Sequence, residues 1–110
     1  FTFFTDRLKE RLGLDFAIAN TLGVNGGTLT GRVDGRIVDA EVKAHAIRER
    51  KAAFAGAGGL AVALGDGAND LPMFAEADVS IGYRAKPVVR ARATHTLDFC
   101  GLDGALNFFA

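Results

Sequence analysis

The sequence predicts an α/β fold: a Rossmann-like parallel sheet flanked by helices, with a small β-hairpin ahead of it. From residue 39 onward, helical and strand patterns alternate, which is the order expected for parallel strands joined by crossover helices. One of these strands, Leu60–Leu64, is apolar at every position, which is typical of a strand covered on both faces. Upstream, an Asn-Gly-Gly turn at residues 25–27 separates two strand-like runs and predicts the hairpin.

The part of the chain before residue 39 is predicted to hold one helix and the hairpin. The helix covers Thr2–Leu12 and ends at Gly13, a typical helix-terminating residue. Its apolar residues form one helical stripe, at Phe1, Phe4, Leu8 and Leu12. Strands are predicted over residues 15–24 and 28–33, followed by a turn and a short extended run at 36–38.

The remainder of the chain supplies the alternating elements. A helix over residues 39–54 begins with Asp39 as its cap. The face of this helix that should be buried carries Ala40, Ala44, Ile47 and Phe54. After it come strand 60–64, helix 71–77, strand 79–83, helix 86–93, strand 94–99 and helix 102–109.

Composition limits the class of protein. A chain of 110 residues suits one domain. Lys plus Arg and Asp plus Glu are equal at 13 each, so no bulk field attracts nucleic acid or an anionic membrane. The basic run of Arg84, Arg90 and Arg92 is interpreted as a solvated face. No apolar run approaches the roughly 20 residues of a membrane span. A single cysteine fits a reducing compartment, so the cytoplasm is the expected location.

The segment with chemical content is LAVALGDGAND, residues 60–70. It places two carboxylates and an amide after a buried strand, at the sheet edge where α/β proteins bind ligands. Asp66 and Asp70 are hard oxygen donors suited to Mg²⁺, and Asn69 can donate a hydrogen bond to a phosphate oxygen. The glycines at 65 and 67 permit a tight turn close to a ligand. We therefore predict a magnesium and phosphate site here.

Other interpretations of this loop fit its residues less well. Asp, Asn and Gly after a strand are also common turn and capping residues, but the six-residue run after an all-apolar strand favours function. The dinucleotide-binding pattern G-x-G-x-x-G fails, because Asp70 occupies the position of the third glycine. The EF-hand pattern fails as well, because its ligand spacing and closing glutamate are missing.

The run GDGANDLPM, residues 65–73, resembles the fourth motif of phosphatases of the haloacid dehalogenase superfamily. The resemblance implies that Asp66 binds Mg²⁺, that Asn69 contacts phosphate or substrate, and that Asp70 supports the metal through its water shell. The stretches LTGRV, IVDAEVKA and RAKPVVRARA are similar to the phosphoserine phosphatase branch of the family. By this match Lys43 is the third-motif lysine, which steadies the charge of nucleophile and phosphoryl group.

The sequence departs from the family's pattern on its N-terminal side. The first motif, D-x-D-x-T/S, supplies the nucleophilic aspartate and the general acid–base, and no D-x-D occurs in this chain. The chain opens at Phe1, just past the place of the second motif's serine, and the substrate-selecting cap is absent. We therefore expect residues 1–110 to be the C-terminal part of one core domain, with two strand edges left unpaired. Such edges would pair with the missing N-terminal segment or with another chain.

The function implied by the resemblance is Mg²⁺-dependent hydrolysis of a small phosphate ester through a phosphoaspartyl intermediate, as in L-serine biosynthesis. The 110-residue piece is expected to be inactive by itself. Two alternatives stay open: a related hydrolase with another small phosphorylated substrate, and a non-catalytic remnant that binds Mg²⁺ and an anion.

Overall fold

The computed structural model describes residues 1–109, and these form two compact units, one beginning at Phe1 and the other at Asp39. The helices are α1 (Thr2–Leu12), α2 (Ala40–Ala53), α3 (Leu71–Glu76) and α4 (Pro87–Arg90). The strands are β1 (Thr21–Asn25), β2 (Thr28–Asp34), β3 (Val62–Gly65), β4 (Val79–Tyr83) and β5 (His95–Leu97). Two 3₁₀ segments cover Ala68–Asp70 and Leu102–Phe108. No helix within residues 1–109 is long and apolar enough to cross a membrane.

The first unit contains α1 and an antiparallel hairpin. Helix α1 has the predicted bounds and ends at Gly13, whose φ of 65° is the left-handed conformation that glycine adopts readily. The β1–β2 turn is formed by Gly26 and Gly27, with φ of 57° and 80°. Two successive positive φ values define the hairpin turn whose twist matches that of the strands. The Asn-Gly-Gly prediction is therefore confirmed.

The extended segments and the apolar stripe of this unit differ from the expectation. The first strand begins only at Thr21, because the residues before it have no strand partner, and residues 36–38 form no strand. The apolar stripe of α1 is not buried in the structure. Its members Phe1, Phe4, Leu8 and Leu12 are all exposed, and α1 contains no buried residue. Helical periodicity thus located the helix correctly but did not show what covers its apolar face.

The second unit has the predicted alternation and a parallel sheet in the order β3-β4-β5. Strand β4 lies at the centre and carries the fully buried Ile81. A small core forms from Ala63, Phe74, Ala85 and Val89. The α/β fold class is therefore confirmed, although the elements after β4 are shorter than predicted and the last is a 3₁₀ segment.

Helix α2 begins where its cap predicts. The Asp39 carboxylate accepts a hydrogen bond from the Val42 N–H at 2.9 Å, which satisfies one of the free donors of the first turn. Ala44, one turn further, is buried. The predicted buried face is wrong at its far end, because Phe54 lies past the last helical residue and is 68% exposed.

Strand β3 is not covered on both faces, contrary to the prediction. Ala63 is buried, whereas Leu64 is 37% exposed and Leu60, which lies before the strand, is 64% exposed. Within the described residues β3 pairs only with β4, so its other edge has no partner. Apolar side chains of an edge strand are exposed because no further strand covers them on the unpaired side. This position sets the loop after β3 at the open margin of the sheet.

Candidate active site

The loop that follows β3 is organised around the Asp70 carboxylate. Its Oδ2 atom accepts hydrogen bonds from the backbone N–H groups of Asp66 at 3.1 Å and Gly67 at 3.3 Å. These bonds close a tight turn between the strand end and the 3₁₀ segment that leads into α3. Asp70 is only 6% exposed. Asp70 therefore shapes the loop, as buried carboxylates do when their lone pairs are satisfied by backbone donors.

The second oxygen of Asp70 binds the predicted third-motif lysine. Lys43 Nζ lies 2.8 Å from Asp70 Oδ1, across 27 residues of sequence. Lys43 is in the first turns of α2, where its N–H bonds back to the Asp39 carbonyl. The structure thus brings together two predicted site residues from different elements. It also places a cationic group beside the loop that carries the other two.

Two opposing influences act on the pKa of Asp70. Burial alone would raise the pKa of this carboxyl, because a charged group loses hydration. The hydrogen bond from Lys43, the two backbone N–H bonds and the positive charge of Lys43 together outweigh burial, and the pKa lies below its usual value. Asp70 is therefore ionised near neutral pH and is satisfied on both oxygens.

Asp66 and Asn69 are both exposed on the same loop. In residues 1–109 the Asp66 carboxylate takes part in no hydrogen bond or ion pair, whereas its carbonyl accepts from the Lys86 N–H at 3.1 Å. The backbone of Asp66 is thus fixed on both sides while its carboxylate stays available. The Asn69 side chain likewise has no bond within the described part of the chain, so both groups can take a ligand.

The available side-chain donors suit a Mg²⁺ ion that is held by a single carboxylate. Asp66 offers free carboxylate oxygens, whereas those of Asp70 are engaged, so Asp70 can act only through water or through the loop. No group of three or more His, Cys, Asp or Glu that could hold a metal occurs among residues 1–109. Mg²⁺ commonly keeps several waters and takes one or two carboxylates plus substrate phosphate, so a single free carboxylate is compatible with it.

A pocket of about 410 Å³ opens beside Asp66 at the carboxyl ends of β3 and β4. It is lined by Leu64, Gly65, Asp66, Tyr83, Arg84 and Leu102. Arg84 has a φ of 44° and is the one residue other than glycine with positive φ in the described chain. The basic run in the sequence predicted only a solvated face for Arg84 and did not indicate its place in this pocket. Its position directly after β4, at the ligand-binding edge of the sheet, was the available signal.

Gly65 is expected to be intolerant of a side chain. A Cβ at this position would lie 2.7 Å from Asp70 Cβ and Cγ, closer than real Cβ contacts. We expect Gly65→Ala to lower the free energy of unfolding by about 1–3 kcal/mol, as overpacking does. The measurement is urea unfolding followed by circular dichroism.

A matched control is available at Gly59. Nothing lies within 4 Å of a Cβ at Gly59, and its φ is not positive. Gly59→Ala should therefore be neutral or slightly stabilising, by up to about 1 kcal/mol. Equal stability of the two variants would show that Asp70 is not held against the strand end as described.

Comparison with known proteins identifies the family of the chain. The family model for haloacid dehalogenase-like hydrolases matches residues 1–75, so the chain belongs to that family. The prediction of this family from the Gly65–Met73 motif is therefore confirmed. Within this family the chain is similar to phosphoserine phosphatases, as the stretches LTGRV, IVDAEVKA and RAKPVVRARA predicted.

A phosphoserine phosphatase of Streptomyces coelicolor is 53% identical, over 96% of this chain and 26% of its own length. The crystal structure of a probable phosphoserine phosphatase from Vibrio cholerae, unliganded, is 43% identical with a TM-score of 0.86, over 96% of this chain and 32% of that one. A phosphoaspartyl intermediate analogue of a phosphoserine phosphatase is 34% identical with a TM-score of 0.87, over 98% and 52%. The chain thus spans between about a quarter and a half of these proteins.

Proposed function

We propose that this chain contributes the electrostatic half of the active site of a Mg²⁺-dependent phosphomonoesterase acting on phosphoserine in L-serine biosynthesis in the cytoplasm. The observation that supports it is the 2.8 Å contact between Lys43 and Asp70 beside the free Asp66 carboxylate. Family membership and the similarity to phosphoserine phosphatases point the same way. We further propose that residues 1–110 are the C-terminal part of one core domain, whose unpaired β3 edge pairs with the preceding segment.

Each residue has a distinct task in this proposal. The Asp66 carboxylate would hold Mg²⁺, whose positive charge would offset the charge of the phosphoryl oxygens. Lys43 adds a second positive charge, and Asn69 donates a hydrogen bond to a phosphoryl oxygen. Asp70 holds Lys43 and the loop in place through its three hydrogen bonds. Phosphoryl transfer depends chiefly on such positioning and charge stabilisation.

The nucleophile comes from outside these elements in the proposed reaction. An aspartate oxygen attacks phosphorus, the bond to the ester oxygen breaks, and water then hydrolyses the phosphoaspartyl group. No D-x-D sequence occurs in the chain, and Asp66 and Asp70 are assigned to the metal and to the loop. We therefore propose that the 110 residues alone do not turn over substrate.

Phosphate release from phosphoserine tests the proposal. The complete gene product containing these residues should release phosphate with Mg²⁺ and stop when excess EDTA is added, whereas the 110-residue chain should release none above background. A panel of small phosphate esters tests the substrate, because a related hydrolase would prefer another member. Failure of the complete protein to hydrolyse any ester would leave a non-catalytic binding module and reject the proposal.

A further inference from the structure

Three cationic side chains of α2 bind three acidic side chains on and around α3. Beyond Lys43 and Asp70, Arg48 pairs with Glu76 at 2.6 Å, and Lys51 pairs with Asp78 at 2.6 Å. Lys51 also donates to the Glu76 carbonyl at 3.3 Å. All the cations lie on α2, and all the acids lie between the 3₁₀ segment and the start of β4. We call these three pairs the ion-pair ladder.

The ladder has a nearly constant register. Its partners are 27 or 28 residues apart in sequence, and they occur in the same order along both elements. This spacing means that residues 70–78 run alongside α2 in the same direction, with each acid opposite its cation. A helix advances about 1.5 Å per residue, so a slide of α2 by one residue would stretch every pair at once.

The acidic side of the ladder is anchored to the sheet. Asp78 Oδ2 accepts a hydrogen bond from the Ala61 N–H at 2.9 Å, while its Oδ1 binds Lys51. Ala61 directly precedes β3, and its carbonyl accepts from the N–H groups of Asp78 and Val79. The far end of α2 is therefore tied to the start of the same strand whose other end carries Asp66.

From this arrangement we infer that Arg48, Lys51, Glu76 and Asp78 are positioning residues that set the axial register of α2 and so hold Lys43 at Asp70. The inference rests on the proposed function only for its catalytic consequence. None of the four residues forms a side-chain hydrogen bond or ion pair with residues 65–70, so each acts through Lys43. Lys43 itself has a flexible side chain that is 34% exposed, and the ladder limits where its ammonium group can reach.

The outer pairs are too exposed to act mainly on global stability. Side chains of Arg48 and Lys51 are 52% and 43% exposed, and ion pairs at such positions stabilise proteins weakly. Their effect should therefore appear in the placement of Lys43. Two weak pairs lost together correspond to a change of about 3–10-fold in a property that depends on that placement.

The test uses the complete gene product with Glu76→Gln and Asp78→Asn combined, which keeps the side-chain sizes. The first measurement is the rate of reductive methylation of Lys43, followed by mass spectrometry with Lys9 as the internal standard. We expect Lys43 to react about 3–10-fold faster in the variant. The second is phosphatase kinetics, where kcat should fall by a similar factor with KM changed less than about 2-fold, because charge placement matters most in the transition state.

Glu49→Gln is the matched control. Glu49 pairs with His45 at 3.4 Å on α2 itself and does not reach α3. This variant should leave the Lys43 reaction rate and the kinetics at wild-type values. The exchanged pair, Arg48→Glu with Glu76→Arg, should recover most of the change in Lys43 methylation and kcat that Arg48→Glu alone causes. This pair serves as the test if the double variant folds poorly.

Wild-type methylation of Lys43 in the double variant, or no recovery in the exchanged pair, would overturn the inference. The methylation rate does not depend on catalysis. If the wild-type protein has no phosphatase activity but Lys43 is still methylated faster in the double variant, the proposed function is rejected and the inference about the ladder is supported.

Discussion

Asp66→Asn is expected to lower kcat/KM of the complete protein for phosphoserine by about 100-fold or more. The substitution keeps the size of the side chain and removes the one carboxylate of this loop that no described residue engages. Mg²⁺ binds neutral amide oxygen less well than carboxylate, and disturbing even the neighbours of a metal ligand costs about 10–100-fold. Initial rates measured across a Mg²⁺ titration should show a higher half-saturating metal concentration.

Asp103→Asn provides the comparison for Asp66→Asn. Asp103 is exposed and lies in the first turn of the 3₁₀ segment Leu102–Phe108, and it has no assigned role in metal or phosphate binding. Asp103→Asn removes one negative charge from the same unit, so an effect of net charge alone would appear equally in both variants. Wild-type metal dependence in Asp66→Asn would remove Asp66 from the metal site.

Lys43→Met is expected to lower kcat/KM by about 100–1000-fold, the range found when one charge-stabilising donor is removed from an active site. Methionine fills much of the lysine's volume but cannot donate to Asp70 Oδ1 or offset phosphoryl charge. The buried Asp70 carboxylate also loses its ion-pair partner while keeping its two backbone bonds. We expect a loss of about 1–3 kcal/mol in the free energy of unfolding at neutral pH, measured with urea.

The same substitution should change how stability depends on pH. The folded pKa of Asp70 lies below its unfolded value of about 3.9, so Asp70 stabilises the fold above that value and ceases to as pH falls through the folded pKa. In Lys43→Met, burial still raises the pKa and the lysine no longer lowers it. The acid loss of stability should therefore begin at a higher pH than in the wild type.

Lys9→Met serves as the control for Lys43→Met, since Lys9 lies on α1 and takes part in no assigned site contact. It should keep wild-type kinetics and the wild-type pH dependence of unfolding. If Lys43→Met loses stability at the same acidic pH as the wild type, Lys43 is not the group that lowers the pKa of Asp70.

Local features of this protein could be predicted from the sequence because their causes lie within a few residues. The Asp39 cap acts on an N–H three residues away, and the hairpin turn depends on the conformational freedom of Gly26 and Gly27. What covers an apolar side chain could not be predicted in this way. Phe54 and the α1 stripe have helical spacing that indicates burial, yet both are exposed, because burial depends on elements distant in the chain.

For the candidate site, the sequence alone determined which side chains the loop offers, since Asp66, Asn69 and Asp70 follow a strand within a motif that resembles one phosphatase family. The tertiary structure decided which of their side-chain oxygens are already hydrogen-bonded and which are available. Packing α2 along α3 brings Lys43 to Asp70 across 27 residues and occupies both Asp70 oxygens, which leaves Asp66 as the available carboxylate. Residue types fix which bonds a side chain can form, but only the packed chain fixes which of those bonds are already made.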